Sequence, residues 1–229
     1  MKKVVVLSGA GISAESGIAT FRASDGLWEG HDVMEVASPE GWEANPALVL
    51  DFYNQRRRTA HNARPNQGHL SIAALEKQFD VTVVTQNVDN LHEQAGSSKV
   101  IHLHGELFKS QSTGNRRLIY PIDGTELNIG DTCEKGFQLR PYIVWFGEAV
   151  PKMDEAVKAT RQADIFIVIG TSLNVYPAAG LLDFVSDDVA KYIIDPNMPA
   201  VNARPNLHLI PKKGTEGMSE LSKQLLKAN

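Results

Sequence analysis

A single cysteine, Cys133, in 229 residues excludes an intramolecular disulfide and a zinc site built from several thiolates. Long apolar runs are missing too. The stretch that follows Lys2-Lys3 is cut at Ser8-Gly9 without an Ala-x-Ala site behind it, so it reads as the first strand of a cytoplasmic protein rather than a leader or a membrane span. There is no basic block: net charge is −4 and the longest basic run is Arg56-Arg57-Arg58, which disfavours a nucleic-acid partner. No internal repeat is visible. With hydrophobic residues at 42% and charged residues at 22%, the chain can bury one sizeable core and a small appended module.

The N-terminal stretch organises the remainder. Val4 to Leu7 form a β-branched apolar run typical of a buried parallel strand, and Ser8-Gly9-Ala10-Gly11 provide a small-residue turn before a helix starting near Ile12. Gly9 and Gly11 would let backbone N–H groups approach a pyrophosphate, and Ala14 takes the third-glycine position of the dinucleotide fingerprint. In a dehydrogenase a second strand ending in a ribose-binding acid should follow about twenty residues later. Thr20 to Trp28 is instead a mixed polar and aromatic loop, and the next convincing strand is Val81 to Thr85. A hydride-transfer enzyme is therefore disfavoured.

Between these strands, Asn45 and Pro46 mark the start of a helix with Leu48, Val49, Phe52 and Tyr53 on one face, ended by Arg64-Pro65. A second helix, Gly68 to Gln78, leads back to the strand at Val81. Thr85 to His92 passes from a strand end into a helix closed by Gly96, and Lys99 to His104 is another short strand. Glu106 to Leu139 is polar and weakly periodic, a second insertion with a possible hairpin turn at Asp123-Gly124. The main pattern resumes at Arg140 to Glu148, with a helix Met153 to Arg161, strands at Asp164 to Ser172 and Lys191 to Asp195, a helix opening at Pro177, and a last helix from about Ser219 to Lys227. The expected fold is α/β, a Rossmann-like parallel sheet domain (1–29, 67–104 and 142–229) with a smaller inserted domain (30–66 and 105–141) and a cleft between them.

Four separated stretches, Gly9-Ala-Gly-Ile-Ser-Ala-Glu-Ser-Gly-Ile18 with Thr20-Phe-Arg22, Thr85-Gln-Asn-Val-Asp-Asn-Leu-His92, His104-Gly105 and Gly170-Thr-Ser172, closely resemble the sirtuins, NAD-dependent protein-lysine deacylases; Arg140 to Glu148 is similar to their segment before the substrate cleft. The resemblance spans nearly the whole chain in the family's order. It implies NAD as cofactor, acylated protein lysines as substrates, and nicotinamide and an O-acyl-ADP-ribose as products. It also implies His104 as the base on a ribose hydroxyl, with Asn87 beside it. The cofactor surface it implies runs over Gly9, Ala10, Gly11, Ser13, Ala14, Glu15, Gly17, Ile18, Thr20, Phe21, Arg22 and Trp28, then Gln86, Asn87, Val88 and Asp89, then Gly170, Thr171, Ser172, Asp195, Asn197 and Thr215. The implied substrate edges are Val144, Phe146, Gly147 and Glu148 on one side and Asn174 and Val175 on the other. Plainer readings stand beside these: His102 and His104 could be packed or metal-bound, Asn87 could cap a helix, and a competing activity of the same class is mono-ADP-ribosyl transfer. A non-catalytic NAD or ADP-ribose sensor is the alternative from a different class.

Tyr53 and Arg56 lie three apart on the predicted helix and resemble the Tyr-x-x-Arg pattern of sirtuins that remove acidic acyl groups, where a guanidinium can clamp a succinyl or malonyl carboxylate. Against this, a run of three arginines usually marks a solvated face. Two departures from the family stand out. The zinc cysteines are missing, so no zinc is expected and the small module must be held otherwise, by packing of Phe108, Leu118, Ile119, Tyr120, Ile122, Leu127, Ile129 and Phe137. Ile193 replaces an asparagine that would face the adenosine ribose, leaving Asp195 or Asn197 to substitute.

Overall fold

The computed structural model describes residues 1–20 and 27–228. The first apolar run forms β1 (Lys3–Ser8), and the small-residue turn leads into one helical turn, α1 (Gly11–Ala14). A short hairpin, β2 (Leu27–Trp28) and β3 (His31–Asp32), feeds two brief helices, α2 (Val33–Val36) and α3 (Pro39–Ala44). Both start on side-chain caps: Asp32 accepts from the Met34 N–H and Ser38 from the Gly41 N–H. The long helix α4 (Pro46–Asn62) starts as its sequence predicts, with Asn45 accepting from the Leu48 N–H and Pro46 in the first turn. Next come α5 (Gln67–Ala74), with a reciprocal Asn66–His69 cap and a trailing 3-10 turn, then β4 (Asp80–Thr85), α6 (Leu91–Gln94) and β5 (Val100–His102). A second sheet contains β6 (Gly105–Ser112), β7 (Ile119–Pro121) and β8 (Leu139–Ile143). The chain closes with α7 (Met153–Arg161), β9 (Ile165–Ile169), a 3-10 stretch Ala178–Phe184, β10 (Ala190–Ile194), β11 (Leu207–Ile210) and α8 (Gly214–Ala228).

The main sheet has the order β11-β10-β9-β1-β4-β5, with every pairing parallel. Alternate residues bury opposite faces. Val4, Val6, Val83 and Ile167 pack with Ile72, Leu75, Met218 and Leu221 of the α5–α8 side, while Val5, Leu7, Phe166 and Val168 pack with Ala156, Leu181 and Leu182 on the other. Successive strands run outward from β1 in both directions. The carboxyl ends of β1 and β9 therefore form a topological switch point, where open α/β sheets hold ligands.

Several elements differ from the sequence expectation. The strand at 139–143 pairs antiparallel with β6 rather than joining the main sheet. The hairpin of the second sheet turns between Ser112 and Ile119, not at Asp123-Gly124, which follows β7. The last helix starts at Gly214, and α6 only at Leu91, because Asp89 rather than Asn87 accepts from the Leu91 N–H. Strand β11 carries exposed Leu209 and His208 and lacks the apolar pattern that reveals its neighbours.

The apolar set predicted to hold the small module does so only in part. Of those residues Leu127 is buried and Phe108 packs against a buried cluster that includes Val49, Phe52, Tyr53 and Leu107, but Ile119, Ile129 and Phe137 are 40, 57 and 46% exposed. Leu107 and Ile143 pack against Val49, Phe52 and Tyr53 of α4, and polar contacts to the same helix complete the tether. Asn54 donates to the Leu127 carbonyl (3.2 Å) and accepts from its N–H (3.0 Å). Arg57, fully buried, donates to the carbonyls of Thr125 (2.9 Å) and Leu107 (3.2 Å) and to the Asn54 side chain. Burial lowers its pKa to about 10, so it stays protonated at neutral pH. Cys133, also buried, accepts from the Ser112 hydroxyl. Among the described residues no group of three His, Cys, Asp or Glu side chains could hold a metal ion. Replacing Arg57 with methionine is expected to cost about 3 kcal/mol, because three buried acceptors lose a charged donor, whereas Arg58→Met, at an exposed pair with Glu126, should cost under about 1 kcal/mol. Urea denaturation of the two variants checks this, and equal losses would count against the tether.

Candidate active site

At the switch point, the turn after β1 and the turn after β9 meet backbone to backbone. Gly9 N–H donates to the Ile169 carbonyl (3.0 Å) and Gly11 N–H to that of Gly170 (2.8 Å). A Cβ on Gly11 would sit 2.7 Å from the Gly170 Cα, and one on Gly170 would sit 2.3 Å from the Ile12 nitrogen. This corrects the reason given for the glycines: their N–H groups are spent inside the fold, and their absent side chains let two turns close into one floor.

Above that floor lies a cavity of about 1040 Å³. Its wall brings together, from the cofactor candidates, Gly9, Ala10, Gly11, Ser13, Ala14, Glu15, Ile18, Thr20, Trp28, Gln86, Asn87, Val88, Asp89, Gly170, Thr171, Ser172, Asp195 and Asn197, with His104. From the substrate candidates it includes Tyr53, Arg56, Val144, Phe146, Gly147, Glu148 and Val175. Of the described candidates, Gly17, Asn174 and Thr215 are not part of the wall. Thr215 donates instead through its N–H and hydroxyl to Glu15, tying the start of α8 to the end of α1. Phe21 and Arg22 lie outside the described residues. Ile193 is fully buried in the sheet core, so position 193 does not face the cavity at all; Asp195, beyond the strand end, does, and its carboxylate accepts from the Asn197 N–H (2.8 Å).

The polar centre is anchored to β1, β4 and α1. Asn87 donates to the Gly9 carbonyl (3.1 Å) and the Ser13 hydroxyl (3.2 Å), spending both amide hydrogens and leaving only its carbonyl oxygen to offer. The Ser13 hydroxyl donates to Asp89 (3.1 Å), which also accepts from Leu91. Burial raises the Asp89 pKa despite those two donors. Gln86 donates to the Thr171 hydroxyl (3.1 Å), bridging the strand ends. Below them, Ser8 joins Thr85 and His92 at 2.8 Å, and His92 packs edge-on to His69.

His104 follows β5 at a turn that needs Gly105, whose φ is +87° and whose added Cβ would fall 2.1 Å from the Tyr142 carbonyl. His104 Nδ1 lies 3.1 Å from the Gln86 carbonyl; a carbonyl only accepts, so Nδ1 carries the proton and Nε2 keeps its lone pair. Burial lowers the His104 pKa, with the Gln86 bond opposing. Its neighbour His102 is engaged differently: Nδ1 meets the Asn87 carbonyl and Nε2 the Glu93 carboxylate at 2.7 Å. Burial would depress the His102 pKa, but Glu93 raises it overall. The two histidines thus have separate partners.

Also on the cavity wall, Tyr53 accepts from the Trp145 indole N–H (3.1 Å), leaving its hydroxyl proton to donate, and burial lifts its pKa to about 12. The carboxylate of Glu148, a residue of the cavity wall, is engaged: it forms a fork-to-fork pair with Arg140 (2.9 and 3.0 Å) and caps the Trp145 N–H. Arg140 in turn stacks 3.5 Å over the Trp145 ring. Arg56 is buried beside Tyr53, 4.1 Å over the Trp28 ring, so the arginine run is not a solvated face. Glu29, Thr59 and Lys213 also line the cavity and carry no motif that would single them out in sequence, and so does Trp145, from the segment Arg140 to Glu148.

Residues 9–177 match the sequence pattern of the Sir2 family. The chain belongs to that family. It is 52% identical to the NAD-dependent protein deacylase of Helicobacter pylori, with 99% of this chain and 98% of that one aligned. A crystal structure of a Sir2 homolog–NAD complex superposes with a TM-score of 0.90 at 39% identity, covering 99% of this chain and 90% of the other. A Sir2 structure bound to acetylated peptide superposes at 0.78 with 27% identity, covering 98% and 92%.

Proposed function

We propose that this chain removes acyl groups from protein lysines while consuming NAD, and that succinyl and malonyl groups are among those it removes. The observation that carries the reading is that one cavity is lined by the glycine floor, by His104 and Asn87, and by the Tyr53–Arg56 pair. A nucleotide fits above the floor because the two turns close on each other with no side chain between them, and Asp195 and Asn197 offer polar groups on the same wall. Bound NAD supplies an activated ribose carbon from which nicotinamide can leave. The chain's part is to orient and to move protons. Neutral His104 offers Nε2 to a ribose hydroxyl, and Gln86 fixes its ring. Asn87 and Asp89, held through Ser13, present oxygen acceptors beside the same sugar and the carboxamide.

The peptide is read as an added strand between 146–148 and 173–175, so that its main chain gives affinity and the lysine side chain enters the cavity. Tyr53 donates its hydroxyl proton and Arg56 its guanidinium to the acyl carboxylate. The test is nicotinamide release with acetyl-, succinyl- and malonyl-lysine peptides, using NAD labelled in its adenine. Acyl-dependent release, with no label retained on protein and the same rate after chelator treatment, is expected. Label fixed to protein would favour ADP-ribosyl transfer, and no release with any peptide would favour a sensor.

A further inference from the structure

Arg56 is desolvated yet loosely held. Its guanidinium carbon lies 4.1 Å from the centroid of Trp28 and 5.8 Å from that of Phe52, and the residue is only 6% exposed. Among the described residues its Nε and Nη1 are buried without a hydrogen bond. The carboxylate paired with it is that of Glu29, 3.3 Å from Nη1, close enough for an ion pair but not aligned as a hydrogen bond. A buried fork with aromatic rings nearby and donors unspent is a site for an anion that arrives and leaves.

Glu29 has the properties of an anion that can be exchanged. It is 32% exposed, on the wall of the same cavity, and sits at the tip of the β2–β3 hairpin. The turn is two residues long, with φ of +51° at Glu29 and +86° at Gly30. Such turns favour asparagine, aspartate or glycine at the first position, so a glutamate there is strained. At that tip its carboxylate can reach either Arg56 or water.

We propose that Glu29 is a displaceable counter-ion of Arg56 and a specificity-determining residue, exchanged for the carboxylate of an acidic acyl chain and left in place by a neutral one. The inference rests on the acidic-acyl reading above and deepens it. An entering succinyl or malonyl carboxylate replaces one anion by another, so the buried guanidinium is neutralised before and after. The cost of entry is the release of Glu29 into water. An acetyl group ends short of a carboxylate and leaves the ion pair closed.

The experiment measures kcat and KM for succinyl- and acetyl-lysine peptides in wild type, Glu29→Gln, Arg56→Met and the double variant. Glu29→Gln is expected to raise the succinyl-to-acetyl ratio of kcat/KM about fivefold, the worth of one partly exposed ion pair, through a lower succinyl KM. In the Arg56→Met background the Glu29 effect should vanish. If Arg56→Met lowers the ratio but Glu29→Gln leaves it unchanged or lowers it, the counter-ion is refuted while the acidic-acyl reading survives. A Glu29 effect that persists without Arg56 also refutes it. If Arg56→Met itself leaves the ratio unchanged, the acidic-acyl reading fails and takes this proposal with it.

Discussion

Replacing His104 with alanine is expected to lower kcat/KM for every acyl peptide by roughly a thousandfold, the range of a lost general base, while NAD still binds. The fold should tolerate the change, because among the described residues the ring, on the cavity wall, makes one hydrogen bond, to the Gln86 carbonyl. The pH profile supplies an independent check. Burial holds the His104 pKa below the ordinary 6.5, so Nε2 is unprotonated at neutral pH. As pH falls, the ring gains a proton and the lone pair is lost; the acid limb of kcat/KM in the free enzyme should therefore lie below 6.5. His102 has the opposite shift and a carboxylate partner, so His102→Gln should not remove that limb. A wild-type limb at or above 6.5, or an unaltered rate in His104→Ala, would assign the base elsewhere.

The parts of this arrangement that were legible in the sequence are those where one residue type has one physical job. Val4 to Leu7 and Ile165 to Ile169 are buried on both faces, and their apolar runs say so. Asn45-Pro46 starts a helix wherever the next turns have an apolar face. The glycines after β1 and β9 were visible as a floor, although the reason was misplaced: the turns need the closeness of each other's backbone rather than free N–H groups. What escaped depends on pairing across distance. The polarity of 106–138 conceals a sheet because its tether, Asn54 and Arg57, is contributed by a helix fifty or more residues earlier. The Glu148 carboxylate is committed to Arg140, a pairing that only the fold shows and that leaves the main chain at 148 to serve as a peptide edge. Glu29 carried no signal because its partner lies on another element and its turn is an atypical one.

The Arg56→Met substitution should divide the substrates. Desuccinylation is expected to fall about a hundredfold or more, since removing one partner of a desolvated charge pair costs about 2–5 kcal/mol, while deacetylation changes by less than about threefold. Three observations set that asymmetry. Arg56 faces the cavity beside Tyr53, whose hydroxyl proton remains available because its oxygen already accepts from Trp145. Methionine keeps most of the apolar stem against Trp28 and Phe52, so packing changes little and the lost term is the fork. Glu29, partly exposed, can return to water, so the variant does not leave a buried charge unpaired. Arg56→Lys keeps the charge but not the planar fork, and should recover only part of the succinyl rate. Tyr53→Phe should act in the same direction with a smaller loss, because it removes one neutral donor. Proportional losses on acetyl and succinyl peptides in Arg56→Met would mean that Arg56 supports the cavity wall without reading the acyl chain.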